Sequence, residues 1–109
     1  MSYSIVATEP FERKLKKLLK KYKSLKNDLL EIIHQLEENP THGVPLGKDC
    51  YKIRIAISSK GKGKSGGARV ITFVRIVNSK VFLLDIYDKS DQSTISDKDL
   101  KMLIDLLSN

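Results

Sequence analysis

Apolar residues recur at helical spacing over the first third of the chain. Phe11, Leu15, Leu18, Leu19 and Tyr22 fall at i, i+4, i+7, i+8 and i+11, one face of an amphipathic helix whose other face is filled with lysines. Thr8, followed by Glu9-Pro10, supplies a capping hydroxyl, an acid and a proline for its first turn. Ser24 can cap a second helix carrying Leu25, Leu29, Ile32, Ile33 and Leu36, which Asn39-Pro40 ends. The short join at Lys23-Ser24 predicts a helical hairpin. Before it, Tyr3 to Ala7 is a β-branched run that predicts a strand.

After Pro40 the period changes. Thr41 to Asp49, with Gly43, Pro45 and Gly47, predicts a loop. From Tyr51 to Ile57, Ile53, Ile55 and Ile57 point one way while Lys52, Arg54 and Ala56 point the other. Ser58 to Gly67 predicts a mobile loop holding four of the six glycines. Ala68–Val77, the turn Asn78-Ser79, and Lys80–Tyr87 predict a hairpin. Ser96 then caps a last helix built on Leu100, Leu103, Ile104 and Leu107, with Asp99 placed as in a capping box. The expected fold is α+β in the order β-α-α-β-β-β-α. Its sheet is antiparallel-rich, with the helical hairpin on one face and a C-terminal helix.

At 109 residues the chain has the length of one domain, expected to span residues 1–109. Its one cysteine, Cys50, can make neither an internal disulfide nor a cysteine zinc site. No run approaches the roughly 18 apolar residues of a membrane span. The first residues have no signal-peptide pattern, so a cytoplasmic location is expected.

Charge changes the picture further. Twenty Lys and Arg against thirteen Asp and Glu give +7, which points to a polyanionic partner. Thr8 to Lys26 holds eight bases and two acids, and Lys48 to Lys80 holds nine bases and one acid. Asp85 to Asn109 reverses the sign, with six Asp against three Lys. Such a distribution predicts one strongly positive face.

The loop contains Gly63-Lys64-Ser65, the ending of a phosphate-binding P-loop. However, Ser58 stands where the motif needs its first glycine, and a strand rather than a helix follows. Nucleotide-triphosphate binding is therefore excluded. Two readings remain: a solvated hairpin loop, or one whose lysines Lys60, Lys62 and Lys64 close on a phosphate chain.

Arg54 and Arg69 sit within strands, where a guanidinium is costly without an open face or an anion. They predict either an ion pair with Asp85 or a joint site with Tyr87 and Lys89. In the second case phosphate would rest on the cations and a base on the ring. His34 and His42 read as surface residues and Cys50 as a small structural one. No metal-ligand spacing occurs, so neither metal dependence nor Cys/His catalysis is expected.

Tyr51-Lys52-Ile53-Arg54-Ile55-Ala56, the glycine–lysine loop and Gly67-Ala68-Arg69-Val70-Ile71-Thr72-Phe73 together resemble the HigB/RelE-like toxins of bacterial toxin–antitoxin pairs, within the RelE/ParE superfamily. Val81 to Asp91 and the Ile95-Ser96-Asp97 helix start extend the likeness from Tyr3 to about Leu107; Ser90-Asp91 replaces that branch's Asn-Glu. The resemblance implies a RelE-type fold and a ribosome-dependent endoribonuclease that cuts messenger RNA and inhibits translation. It needs no metal or other cofactor: the ribose 2′-hydroxyl attacks phosphorus to leave a cyclic phosphate.

The implied catalytic set is Arg54, Arg69, Lys89 and Tyr87. Lys52, Lys60, Lys62 and Lys64 would contact RNA. Arg13, Lys16, Lys20 and Lys23 on the first helix would contact the ribosome, or form an ordinary solvated helix surface. Implied partners are a cognate antitoxin, the ribosome and messenger RNA, with no membrane. A ParE-like gyrase inhibitor, or a non-catalytic nucleic-acid-binding module, is the competing reading of the same positive face.

Overall fold

A computed structural model describes residues 2–61 and 63–108, with the side chain of residue 108 left out. The elements run β1 Ser4–Ala7, α1 Glu9–Lys21, α2 Leu25–Glu38, β2 Val44–Gly47, β3 Cys50–Ile55, β4 Ala68–Arg75, β5 Lys80–Asp88 and α3 Asp97–Asp105. Short 3₁₀ turns at Ser58–Lys60, Lys64–Gly66 and Leu106–Ser108 complete the chain. The sheet order is β1-β5-β4-β3-β2. β1 runs parallel to β5, and every other pairing is antiparallel. Among the described residues no helix is long and apolar enough to cross a membrane.

The expected α+β architecture is present, with one strand more than the sequence predicts. Val44–Gly47, expected as loop, pairs with β3 at the sheet edge. Pro45 is tolerated there because an edge strand leaves one side of its backbone unpaired. The turn Lys48-Asp49 has both residues at positive φ, 55° and 63°, the geometry of a tight two-residue hairpin. Lys-Asp is not the Asn-Gly signature of such turns, so the hairpin is invisible in the sequence. The β4 strand also ends sooner than expected, leaving Ile76 and Val77 exposed in the turn to β5.

One face of the sheet carries the helical hairpin. Phe11, Leu25, Leu29, Ile32 and Leu36 pack on Ile53, Ile55, Val70, Val81, Leu83 and Ile86. Truncating any of the fully buried members to Ala should cost about 2–5 kcal/mol. Thr8 Oγ1 accepts from the Phe11 amide at 3.4 Å, as expected of a cap, and donates to Leu83 O at 2.8 Å, so the same hydroxyl ties α1 to β5. Ser24, expected to cap α2, makes no capping bond; it lies in the helical region and its hydroxyl turns to Asp28.

The other face is covered in part by α3. Leu100 packs with Cys50, Ile71, Leu84 and Tyr87, and Phe73, Phe82, Leu103, Ile104 and Leu107 pack around that cluster. Ser96 caps α3 by accepting from the Asp99 amide at 3.1 Å. A register irregularity between Ile71 and Thr72 leaves Leu84 without a partner on β4. It shifts the alternation of β5 by one, so Phe82, Leu84 and Tyr87 share the α3 face while Val81, Leu83 and Ile86 share the hairpin face.

Candidate active site

Three strands align the central residues. In the ladder Arg54 is directly opposite Arg69, and Arg69 is directly opposite Tyr87. Arg54 alternates with Ile53 and Ile55, and Arg69 with Ala68 and Val70, all core residues of the hairpin face. Both arginines therefore emerge on the face that holds Tyr87. One row of three side chains crosses β3, β4 and β5 there. Like charges directly opposite on paired strands repel. Among the described residues neither arginine has a carboxylate partner. An anion placed across the row removes that repulsion.

The row is unequally solvated. Arg54 is exposed, whereas Arg69 is 3% exposed and Tyr87 4%. Arg69 Nη1 donates to Lys64 O at 2.8 Å and to Ala68 O at 3.1 Å. Burial and the adjacent Arg54 lower its pKa from the ordinary arginine value, but an arginine stays charged at neutral pH. Burial raises the Tyr87 phenol, which Arg69 only partly opposes, so the group is a neutral O–H donor. The Tyr87 hydroxyl has no hydrogen-bond partner among the described residues.

Asp85 does not pair with Arg69. Its carboxylate accepts from Lys14 Nζ of α1 at 2.7 Å, and this leaves the arginines available. Lys89 lies just past the end of β5, where its amide donates to Gly67 O at 3.0 Å, two steps beyond the Arg69–Tyr87 pair. Gly67 has no room for a side chain: a Cβ there would stand 1.9 Å from Ile55 O. Lys52, half-buried, is opposite Ile71 on the same face as Arg54.

The loop lysines separate. Lys60 Nζ donates to Asp88 at 3.0 Å and to Ser90 Oγ at 3.0 Å. The hydrogen bond to Asp88 raises its pKa, so its ammonium is committed. Lys64 is exposed, while Lys62 lies outside the described residues. The base of the loop is not the free segment that its glycines suggest. It is tied to α2 and β5, because Ser58 and Lys60 meet Asp28 and Asp88.

On α1, Arg13, Lys16 and Lys20 are exposed, as is Lys23 just after the helix, and Arg13 reaches Glu9 at 3.7 Å. They do not join the arginine row. Lys14 and Lys17 instead line a cleft of about 280 Å³ with Leu18, Tyr87, Asp88 and Gln92. Their i, i+3 spacing was the available signal for a second basic stripe on this helix, but only the packing of α1 against β5 shows that it borders Tyr87. His34 meets Glu37 at 3.2 Å on the surface of α2, and His42 is half-buried. Cys50 is buried and donates to Lys48 O at 3.6 Å; burial and Asp49 push its thiol up to about 11.

The site is thus a row of two arginines and a tyrosine on the partly open face of a small α+β sheet. Comparison with known proteins narrows this. A family model described as the RelE toxin of the RelE/RelB toxin–antitoxin system matches residues 9–108, and the chain belongs to that family. A solved structure of E. coli toxin RelE, a double arginine-to-alanine mutant in the free state, superposes with a TM-score of 0.60 at 21% identity. The match covers 85% of this chain and 90% of that one, and it shows the shared fold. Membership in a toxin–antitoxin family implies an antitoxin as partner.

Proposed function

We propose that this toxin is a ribosome-dependent endoribonuclease that cuts messenger RNA without a metal. The observation that carries the reading is the Arg54–Arg69–Tyr87 row, which has no carboxylate partner among the described residues. In the proposed reaction Arg54 and Arg69 hold the non-bridging oxygens of the scissile phosphate. Their charge is aimed at the pentavalent transition state, where an extra negative charge develops. The Tyr87 hydroxyl donates to the same group.

The ribose 2′-oxygen attacks phosphorus and loses its proton to a loop lysine. The P–O5′ bond breaks, and Lys89 delivers a proton to the departing 5′-oxygen. The products are a 2′,3′-cyclic phosphate and a 5′-hydroxyl. Because Lys60 is held protonated on Asp88, the proton acceptor falls to another loop lysine, such as the exposed Lys64, which takes the proton in its neutral amine form. Lys52 lies beside the row to hold the flanking backbone. The exposed Arg13, Lys16, Lys20 and Lys23 supply a separate electrostatic surface for ribosomal RNA.

Primer extension on messenger RNA after induction tests the reading, with codon-linked cuts as the expected result. Intact messages together with a rise in DNA-damage signalling would favour gyrase inhibition instead. Charge reversal at Lys16, Lys20 and Lys23 should weaken ribosome co-sedimentation and flatten its salt dependence. Unchanged co-sedimentation would return that surface to ordinary solvation.

A further inference from the structure

The basic loop is fastened on both faces of the sheet. On the hairpin side, Asp28 of α2 accepts from the Ser58 amide at 3.0 Å and from its hydroxyl at 2.6 Å. Ser24 Oγ accepts from the Ser59 amide at 2.8 Å. Lys60 then reaches Asp88, whose side chain is fully buried. The Tyr22 hydroxyl donates to the second oxygen of that carboxylate, and the Tyr22 ring lies 5.3 Å from the Lys60 ammonium. On the opposite side, the carbonyl of Lys64 accepts from Arg69. Between these fixings the chain turns through Gly61 and Gly63, both at positive φ, 69° and 63°.

We propose that Asp28 and Asp88 are positioning residues that clamp the near half of this loop so that its far half orients Arg69. Among the described residues Arg69 has two acceptors. The Ala68 carbonyl is its own chain neighbour and is fixed by the strand. The Lys64 carbonyl opens the short 3₁₀ turn Lys64–Gly66 and accepts from the Gly67 amide at 3.4 Å, a long bond, so its place depends on that turn together with where the loop is fastened. Asp88 also links the two sides directly. It follows Tyr87 in β5 but faces the hairpin, so one strand end carries the row on one face and the clamp on the other. Lys60, which by charge alone belongs with the RNA contacts, acts here as the strap.

The proposal rests on Arg69 as the phosphate ligand, and its test separates the two ideas. Asp28→Asn and Asp88→Asn keep shape and remove charge, and Asp28 is only partly buried, so that variant keeps the core intact. Three readouts apply to the full-length protein: amide exchange of Ser58–Lys60 and Lys64–Gly66, inorganic sulfate binding followed at Arg69 by chemical shift, and kcat against KM for message cleavage on ribosomes. The expected result is faster loop exchange, sulfate binding weaker by roughly tenfold, and kcat lower by about 10²-fold with KM nearly unchanged.

Faster exchange with sulfate affinity and kcat at wild-type values would overturn the positioning role. Unchanged exchange would overturn the clamp itself. A wild-type protein that binds sulfate at Arg69 but cuts no message would remove the nuclease reading, while the sulfate arm would still decide the positioning one.

Discussion

Tyr87 stands directly across the ladder from Arg69, and its buried hydroxyl finds no partner among the described residues. A hydroxyl in that state costs stability. Tyr87→Phe should therefore leave the thermal midpoint unchanged or raise it, by up to about 1 kcal/mol of stability, while lowering message cleavage. Thr72 Oγ1 is likewise buried and without a partner among the described residues, but Thr72 shares the hairpin face with Val70 and Val74. Thr72→Val should stabilise by a similar amount with cleavage intact. Thermal melts and cleavage assays on both variants check the contrast, which a purely structural Tyr87 would not show.

Arg69→Ala should abolish growth arrest at normal protein levels, with cleavage lowered on the order of 10²-fold or more. Arg69→Lys should not restore it. A lysine presents one ammonium in place of a planar fork, so it cannot hold the Lys64 and Ala68 carbonyls and a phosphate at once. Induced growth curves with immunoblots decide this, and toxicity retained in Arg69→Ala would sink the assignment.

Lys14 is half exposed and Asp85 is buried, yet they form one ion pair between α1 and β5. Lys14→Met leaves a buried carboxylate unpaired and should cost about 1.5–3 kcal/mol. The double variant Lys14→Met/Asp85→Asn should recover part of that loss. Denaturant unfolding of the two variants measures it.

Acid should loosen the loop before it unfolds the core. Burial by itself would raise the Asp88 carboxyl, but hydrogen bonds from Tyr22, the Ser90 amide and Lys60 outweigh it and hold the group below the ordinary carboxylate range. Ser58 and Ser24 do the same for Asp28. A folded pKa below the unfolded one gives stability that is fully present above the unfolded value and lost as pH falls through the folded one. Stability should therefore fall below about pH 4. Asp88→Asn should flatten that fall, as measured by unfolding free energy against pH.

Cys50 should resist alkylation. Its thiol is buried and pushed up to about 11, so little thiolate exists at pH 8 in the native state. Labelling with iodoacetamide, followed by mass, should proceed only as fast as the protein unfolds. Rapid native-state labelling would contradict the placement of Cys50 beneath α3.

The helical hairpin, the last helix and the three long strands were legible in the amino-acid pattern, because each is set by local periodicity and capping chemistry. Phe11 to Tyr22 and Ile53 to Ile57 show their buried faces without any knowledge of the fold. Arg54, Arg69, Tyr87 and Lys89 were identifiable as candidates, since polar groups alternating with core residues must emerge on one face. Pairing decided the rest. Register across three strands brings Arg54, Arg69 and Tyr87 into one row, and that depends on hydrogen bonds between residues far apart in sequence. The same long-range contacts turned Asp85 toward Lys14, Lys60 toward Asp88, and Val44–Gly47 into an edge strand. The three loop lysines are equivalent in sequence because nothing local distinguishes one exposed ammonium from another. Only a buried carboxylate on a distant strand, out of reach of any local pattern, makes Lys60 different.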